Sequence, residues 1–140
     1  MKKPNYKLLD HTADFGIEVT SEDEKSLFEK TALAMFDCIM NTNVLVGMNK
    51  RDLHLQGSDR CDLMVNWLRE LLYLFNGQNK LVKSVRVHTI SQNKLSATVT
   101  YDAFDPSTHE IRSEIKAVTY HQIKVEQTSK NWIARIIFDV

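Results

Sequence analysis

The feature that most constrains the fold is a long amphipathic pattern between residues 63 and 75. Large apolar side chains recur there at steps of one and three: Leu63, Met64, Trp67, Leu68, Leu71, Leu72 and Phe75. This spacing places them in one stripe along an α-helix. Residues 57–59 (GSD) indicate the helix start, and Asn76-Gly77 its end, with the glycine expected in a left-handed cap. Such a stripe must be buried against another layer of the protein.

A second helix is predicted earlier in the chain. Residues 21–24 (SEDE) match a capping box, in which the Ser21 hydroxyl accepts from a turn amide while Glu24 reaches back. One apolar stripe follows, made of Leu27, Phe28, Ala32, Met35, Phe36 and Ile39. We expect this helix to end near Met40-Asn41.

Alternating apolar and polar residues occupy most of the remaining chain, which is typical of half-buried strands. The alternating runs are residues 6–9, 17–20, 51–56, 85–89, 95–101, 111–117, 121–127 and 132–138. Both predicted helices carry one apolar stripe, so both can lie on one face of the sheet. We predict an α+β fold, a two-layer sandwich of two amphipathic helices on a mostly antiparallel or mixed β-sheet. Residues 1–140 should form one domain.

The charge balance excludes a strong electrostatic partner. The chain has 18 Lys and Arg and 18 Asp and Glu, so nothing in its net charge demands nucleic acid or an anionic membrane. No apolar run is long enough to span a bilayer, and residues 1–5 do not begin a signal peptide. Cys38 and Cys61 lack metal-ligand spacing, so we interpret them as reduced thiols of a cytoplasmic protein.

Several enzyme motifs are absent from the sequence. It contains no glycine-rich phosphate loop, G-x-S-x-G elbow, H-E-x-x-H helix or C-x-x-C pair. With only four glycines, a backbone cradle for a nucleotide is hard to build. These absences disfavour a nucleotide-binding or small hydrolytic domain.

The run of residues 9–17 (LDHTADFGI) crowds polar side chains at the start of a strand. Asp10, His11 and Asp14 lie within five residues, and Gly16 tolerates backbone angles that other residues resist. One interpretation is a functional site. The other is a turn, because Asp, His and Thr often bond to nearby backbone. These residues alone favour the turn.

The C-terminal pair offers a candidate metal site. Asp139 lies beside Val140, whose α-carboxylate would end the chain, and two oxyanions held close repel unless a cation binds. Asp14 would add a third carboxylate if the first strands neighbour the last. Oxygen ligands suit Ca²⁺ or Mg²⁺. The alternative, an exposed terminus with a solvated Asp139, is at least as well supported by these residues.

Residues 114–121 (EIKAVTYH) form a second candidate. Glu114 and Lys116 share one face of the predicted strand, where opposite charges commonly just solvate the surface. Tyr120 and His121 could serve acid–base roles, although two titratable neighbours are a weak indication.

Several short motifs of the sequence resemble those of the archease family. They occur in the right order and over nearly the whole chain. They are residues 10–17 (DHTADFGI), 32–37 (ALAMFD), 63–75 (LMVNWLRELLYLF), 114–121 (EIKAVTYH) and 138–140 (FDV). Two positions depart from the family pattern. Phe15 stands where an aliphatic residue is usual, and Asn66 where aspartate is common.

The resemblance implies a partner protein rather than an enzyme. Archeases assist the RtcB-type RNA ligase of tRNA splicing and RNA repair by promoting its guanylylated intermediate and multiple turnover. By resemblance, the metal ligands are Asp14, Asp139 and the carboxylate of Val140. Lys116 is the next candidate beside that site, and His11 is expected to orient the loop through a hydrogen bond, because hard cations prefer oxygen.

The resemblance also leaves a second role open. A chaperone-like role towards a tRNA methyltransferase has been assigned to some archeases. In the first role, contact with RNA is expected to be indirect, through the ligase, and neither role requires a membrane.

Overall fold

The computed structural model of the chain describes residues 5–10 and 15–140. Two helices, α1 (Glu24–Ile39) and α2 (Arg60–Asn76), and a short 3-10 turn, Thr42–Val44, alternate with strands. The strands are β1 (Lys7–Asp10), β2 (Phe15–Ser21), β3 (Asn49–Gln56), β4 (Lys80–Ile90), β5 (Lys94–Ala103), β6 (Ala117–Val118), β7 (Lys124–Gln127) and β8 (Trp132–Asp139).

Within the described ranges the strands pair only antiparallel, and they form two sheets. In the larger sheet the order is β1-β2-β8-β6, and β7 also pairs with β8. The smaller sheet has the order β3-β5-β4. Strands near the two ends of the chain therefore pair with one another, and so do the strands between them. The α+β class with two helices on antiparallel β-structure is confirmed, with the strands divided between two sheets.

The two helices pack side by side against both sheets. Helix α1 contacts β2, β4 and β8, whereas α2 contacts β3, β4, β6 and β7. The apolar stripes predicted from the sequence face this core, and Phe28, Phe36, Trp67 and Leu71 are fully buried. The indole Nε1 of Trp67 donates to the backbone carbonyl of Phe28 at 3.0 Å, which joins the helices through a buried hydrogen bond.

The helix caps differ from the sequence prediction. Ser21 is the last residue of β2, paired with Trp132, so the predicted capping box is wrong. The N-cap of α1 is Asp23, whose carboxylate accepts from the Ser26 N–H at 2.8 Å. Because the β2–β8 ladder holds Ser21 in extended conformation, the cap moves two residues along the chain.

Helix α2 begins and ends where the sequence predicts, with Asp59 as N-cap and Gly77 as C-cap. The left-handed cap at Gly77 is wrong, since its φ is −99°. The left-handed residue is Asn79, with φ 57°. Space explains the glycine at position 77: an added Cβ would lie 2.3 Å from Cε1 of Tyr73.

The strand predicted over residues 111–117 is wrong for most of its length. Only Ala117–Val118 forms a strand, and Ile111 makes an isolated bridge to Met40. The N–H of Arg112 donates instead to the Ile39 carbonyl, 2.7 Å away at the C-terminus of α1. The alternation in burial persists without a ladder, because Ile115 is buried while Glu114 and Lys116 are exposed.

Gly16 is required by close packing rather than by a special backbone angle. Among the described glycines only Gly47 has a positive φ, 80°. A Cβ at Gly16 would lie 2.6 Å from both the Ile136 carbonyl oxygen and Cδ1 of Ile137. Glycine therefore lets β2 lie close against β8.

Replacing Gly16 with alanine should destabilise the protein by about 1–3 kcal/mol, because the added methyl overpacks the β2–β8 contact. Urea unfolding of the variant and the native chain measures the loss. Thr20→Ala, at an exposed position of the same strand, is the control and should stay within about 0.5 kcal/mol. A Gly16→Ala loss no larger than that of the control would contradict the packing argument.

Candidate functional site

Three chain segments meet at one edge of the larger sheet. Phe138, near the end of β8, is paired with Phe15 of β2 on one side and with Val118 of β6 on the other. Asp139 is paired with Ala117. The predicted metal site requires the first strands to lie beside the last, and this pairing is confirmed. In sequence, Asp14 directly precedes Phe15, just as Phe138 directly precedes Asp139.

The structure locates part of the predicted metal site. Asp139 and Val140 are exposed at this edge, whereas His11 and Asp14 lie outside the described residues. Within residues 5–10 and 15–140, no three His, Cys, Asp or Glu side chains group closely enough to hold a metal ion. The described part of the chain thus supplies the Asp139 carboxylate and not a complete ligand set. The three-carboxylate site stays a prediction.

Lys116 is fixed beside Asp139 by the backbone. Its N–H donates to the Asp139 carbonyl oxygen at 2.7 Å. Two residues after Ala117, Thr119 donates to the Ile137 carbonyl through its N–H, at 3.1 Å, and its hydroxyl, at 2.8 Å. The Lys116 side chain is exposed, and its ammonium makes no hydrogen bond or ion pair among the described residues. Lys116 and Asp139 therefore present a free cation and a carboxylate from adjacent, hydrogen-bonded backbone.

Side chains of α2 hold the segment that carries Lys116. Asn76 Nδ2 donates to the Ile115 carbonyl at 3.0 Å, and Arg69 donates through Nε and Nη2 to the Val118 carbonyl at 3.2 and 3.1 Å. These bonds flank Lys116 on both sides in sequence. We call Arg69 and Asn76 with their two acceptors the α2 clamp. Because little of this segment belongs to a strand, the clamp supplies hydrogen bonds that a ladder would otherwise provide.

Tyr120 extends the contact with α2. The Arg69 guanidinium lies over its ring at 4.9 Å, and its hydroxyl donates to Asp62 at 2.6 Å. This hydrogen bond lowers the pKa of the Asp62 carboxyl and raises the pKa of the Tyr120 phenol. Tyr120 therefore stays a hydrogen-bond donor near neutral pH, and the geometry gives it a structural contact rather than an acid–base role.

A second polar group, which the sequence analysis missed, lies between the residue before β1 and the last turn of α1. The Tyr6 hydroxyl donates to Asp37 at 2.7 Å, and Cys38 Sγ lies 3.6 Å from the same hydroxyl. Burial, and then the bond to Asp37, raises the pKa of the Tyr6 phenol. These residues line a cavity of about 580 Å³ that also borders Phe15. The available indication was Asp37 itself, a carboxylate between the apolar residues of α1.

The two departures from the family pattern have different surroundings. The ring of Phe15 packs against that of Phe138, with centroids 5.6 Å apart. Phe15 follows Asp14 in sequence and Phe138 precedes Asp139, so each ring is next to one predicted aspartate ligand. Asn66 lies on α2 and donates to the Gln56 carbonyl at 2.8 Å. Asn66 is therefore a link between α2 and the end of β3.

The fold and the edge define a small α+β protein that presents charged side chains at one end of a helix-covered sheet. None of the helices in the described part of the chain is long and apolar enough to cross a membrane. The model of the Archease protein family (MTH1598/TM1083) matches residues 6–140. The chain belongs to the archease family.

Known archeases are similar over nearly the whole chain. Protein archease of Methanosarcina barkeri is 34% identical, over 96% of this chain and 95% of that protein. Protein archease of Pyrococcus abyssi is 33% identical, over 94% and 95%.

Two solved structures show the same architecture. The solution structure of Methanobacterium thermoautotrophicum protein 1598 has a TM-score of 0.80 at 28% identity, covering 96% of this chain and 98% of that one. The crystal structure of an archease, possible chaperone, from Thermotoga maritima has a TM-score of 0.58 at 20% identity, covering 100% and 98%. At that identity the likeness concerns the fold alone.

Breaking one arm of the α2 clamp should loosen the Lys116 segment locally. Asn76→Asp keeps the side-chain shape but turns a carboxylate oxygen towards the Ile115 carbonyl. We expect faster hydrogen exchange at the amides of Lys116 and Thr119, which bond to β8, because local opening sets their exchange rates. Site-resolved NMR exchange measures this.

The matched control is Asn131→Asp, at an exposed turn position where no side-chain bond is made among the described residues. It should leave both amides unchanged. If Asn76→Asp also leaves them unchanged, the segment does not depend on the clamp.

Proposed function

We propose that this protein is an accessory factor that activates an RtcB-type RNA ligase in tRNA splicing or RNA repair. It would promote guanylylation of the ligase and allow multiple turnover, without being an enzyme itself. Membership of the archease family supports this proposal. The structural observation behind it is the arrangement of Lys116 and Asp139. A backbone hydrogen bond joins the two residues, and both side chains are exposed. Such groups can enter a partner's site.

The same edge supports the proposal of a divalent metal site. Asp14, Asp139 and the carboxylate of Val140 would bind Ca²⁺ or Mg²⁺, whose preferred ligands are oxygens. The donor chemistry of Asp139 fits a hard cation, and β2–β8 pairing brings Phe15, the neighbour of Asp14, opposite Phe138. The bound metal would supply positive charge at this edge. His11 would orient its loop by a hydrogen bond.

The charges of the chain fit an indirect role towards RNA. Lys and Arg equal Asp and Glu in number, so the chain has no excess positive charge to bind phosphates along a strand. Lys116, as a point charge, would instead meet one phosphate or carboxylate at the ligase's nucleotide site. We place this activity in the cytoplasm.

Adding the protein to its cognate RtcB-type ligase should speed guanylylation and raise turnover. Lys116→Ala and Asp139→Asn should each reduce the maximal stimulation about tenfold or more, because a charge-assisted contact contributes about 1.5–3 kcal/mol. Guanylylation of the ligase with labelled nucleotide measures the effect. Thermal unfolding of each variant without added divalent metal should match the native chain, since both side chains are exposed.

The matched control is Asp52→Asn, which alters an exposed carboxylate on the smaller sheet. Asparagine can still accept the hydrogen bond that Asp52 accepts from Thr98 at 2.7 Å. It should stimulate the ligase like the native chain. A ligase that behaves identically with and without the native protein, at matched metal and nucleotide, would refute the proposed function. Loss of folding in Lys116→Ala would make that residue structural.

The metal site predicts cation-dependent stabilisation. Calorimetry should show binding of Ca²⁺ or Mg²⁺ to the native chain and loss of binding in Asp14→Asn and Asp139→Asn. At one hundred times the dissociation constant, the metal should stabilise the fold by about 2.7 kcal/mol. Binding should weaken at acid pH, where the carboxylates protonate.

A chain extended past Val140 tests the third ligand, because the extension converts the Val140 carboxylate into an amide. Equal affinity in chains with and without the extension would exclude that carboxylate as a ligand. No binding to either chain would leave Asp14 and Asp139 as solvated residues.

The second candidate function is a chaperone-like role towards a tRNA methyltransferase. Membership of the archease family supports it, because such a role has been assigned to some archeases. The two functions are distinguished by adding the native chain to each enzyme separately. Suppressed methyltransferase aggregation, with unchanged ligase guanylylation, would favour the second.

A further inference from the structure

A groove lies between the C-terminal half of α2 and the segment around Lys116. It has a volume of about 380 Å³ and is lined mainly by Arg69, Leu72, Tyr73, Asn76, Lys116 and Val118. Two of these residues, Arg69 and Asn76, are the helix side of the α2 clamp. The groove therefore adjoins the edge that carries the proposed activity.

Tyr73 gives the groove an exposed aromatic wall. The residue is 54% exposed, yet its ring lies against Gly77, where an added Cβ would be only 2.3 Å from Cε1 and 2.6 Å from Cδ1. The Gly77 N–H also donates to the Tyr73 carbonyl at 2.8 Å. A tyrosine side chain has only two rotatable χ angles, so it loses little conformational entropy when a partner covers it.

The charges around the groove select the occupant. Lys116 and Arg69 are its charged lining residues, both cationic, while Leu72, Tyr73 and Val118 supply apolar surface. The Lys116 ammonium makes no hydrogen bond or ion pair among the described residues, whereas Arg69 already donates to the Val118 carbonyl and lies near the Asp62 carboxylate. Asn76 adds a neutral amide. An apolar wall beside a free ammonium complements an apolar side chain that is flanked by carboxylates.

The floor of the groove is held by several hydrogen bonds. The α2 clamp fastens the carbonyls of Ile115 and Val118, and the Lys116 N–H bonds to Asp139. The backbone that forms the floor of the groove is therefore held by the chain itself, and a partner would not need to order it.

We propose that this groove docks an acidic segment of the partner ligase, with an apolar side chain of that segment against Tyr73 and its carboxylates near Lys116 and Arg69. The inference rests on the proposed function and adds the surface by which the ligase is held. Docking at Tyr73 would bring the ligase against the Lys116–Asp139 edge. Tyr73 would then serve binding and Asp139 activation, while Lys116 lies between them and would contribute to both.

The experiment is a titration of ligase guanylylation with increasing amounts of this protein. Tyr73→Glu removes the ring and places a negative charge in the groove. It should raise the half-saturating concentration about tenfold or more, as truncation of a central aromatic contact does, while the maximal rate at saturation is unchanged. Asp139→Asn should do the opposite, lowering the maximum and leaving half-saturation in place.

The matched control is Met48→Glu, which puts the same charge on an apolar residue that is 76% exposed before the smaller sheet. It should titrate like the native chain. Tyr73→Gln, which removes the ring without adding a charge, should shift half-saturation in the same direction by a smaller factor. It replaces Tyr73→Glu if that variant does not fold.

Direct binding of the immobilised ligase separates the two proposals. If the native chain binds but does not stimulate, the proposed function fails, and weaker binding by Tyr73→Glu still supports the docking groove. If the native chain neither binds nor stimulates, both fail. If the native chain and Tyr73→Glu give the same guanylylation titration, the docking groove is refuted and the proposed function is not. The docking groove is also refuted if Tyr73→Glu weakens binding of a single-stranded RNA oligonucleotide and leaves ligase binding unchanged.

Discussion

The ladder between β2 and β8 is the interaction on which the rest of the structure depends. It runs from Phe15 opposite Phe138 to Ser21 opposite Trp132 and joins the first part of the chain to the last. On its other side, β8 pairs with β6 and β7. Displacing β2 would therefore disturb β8 and, through it, β6 and β7. Gly16 permits the close approach at the end of this ladder where Asp139 lies. A single methyl group there is therefore a local change with effects on the candidate site.

The parts of the fold that could be predicted from the sequence are those set by short-range periodicity. The α2 stripe repeats every turn, and its burial and ends follow from residues 57–77 alone. Residues 111–116 show where that reasoning stops. Their alternation reports correctly that Ile115 is buried and Lys116 exposed, but burial does not identify a hydrogen-bond partner. A neighbouring strand and the end or side of a helix produce the same pattern. Here the Ile39 carbonyl at the end of α1 and Asn76 of α2 supply hydrogen bonds to this segment.

The candidate site divides in the same way. The motifs shared with the archease family single out Lys116 and Asp139, and the strand pairing brings the two residues together. The residues that hold Lys116 could not be found from spacing, because Arg69 and Asn76 bond to carbonyls 49 and 39 positions along the chain. Helix side chains that donate to backbone carbonyls have no sequence pattern of their own. In the sequence, Asn76 indicates only the end of a helix. In the structure, it also supplies a hydrogen bond to the site.

An activating protein must hold its own charged groups in place before it meets its partner, because any ordering at the interface subtracts from binding. Strand pairing does this for Asp139. For Lys116, in a segment with little strand structure, the polar face of α2 does the same work through Arg69 and Asn76. The helix thus has two tasks on opposite faces: its apolar stripe closes the core, and its polar stripe fixes the site. Substitutions of Arg69 or Asn76 should therefore affect activation, and they should also lower stability, because Ile115 and Val118 are buried and their carbonyls would lose a donor.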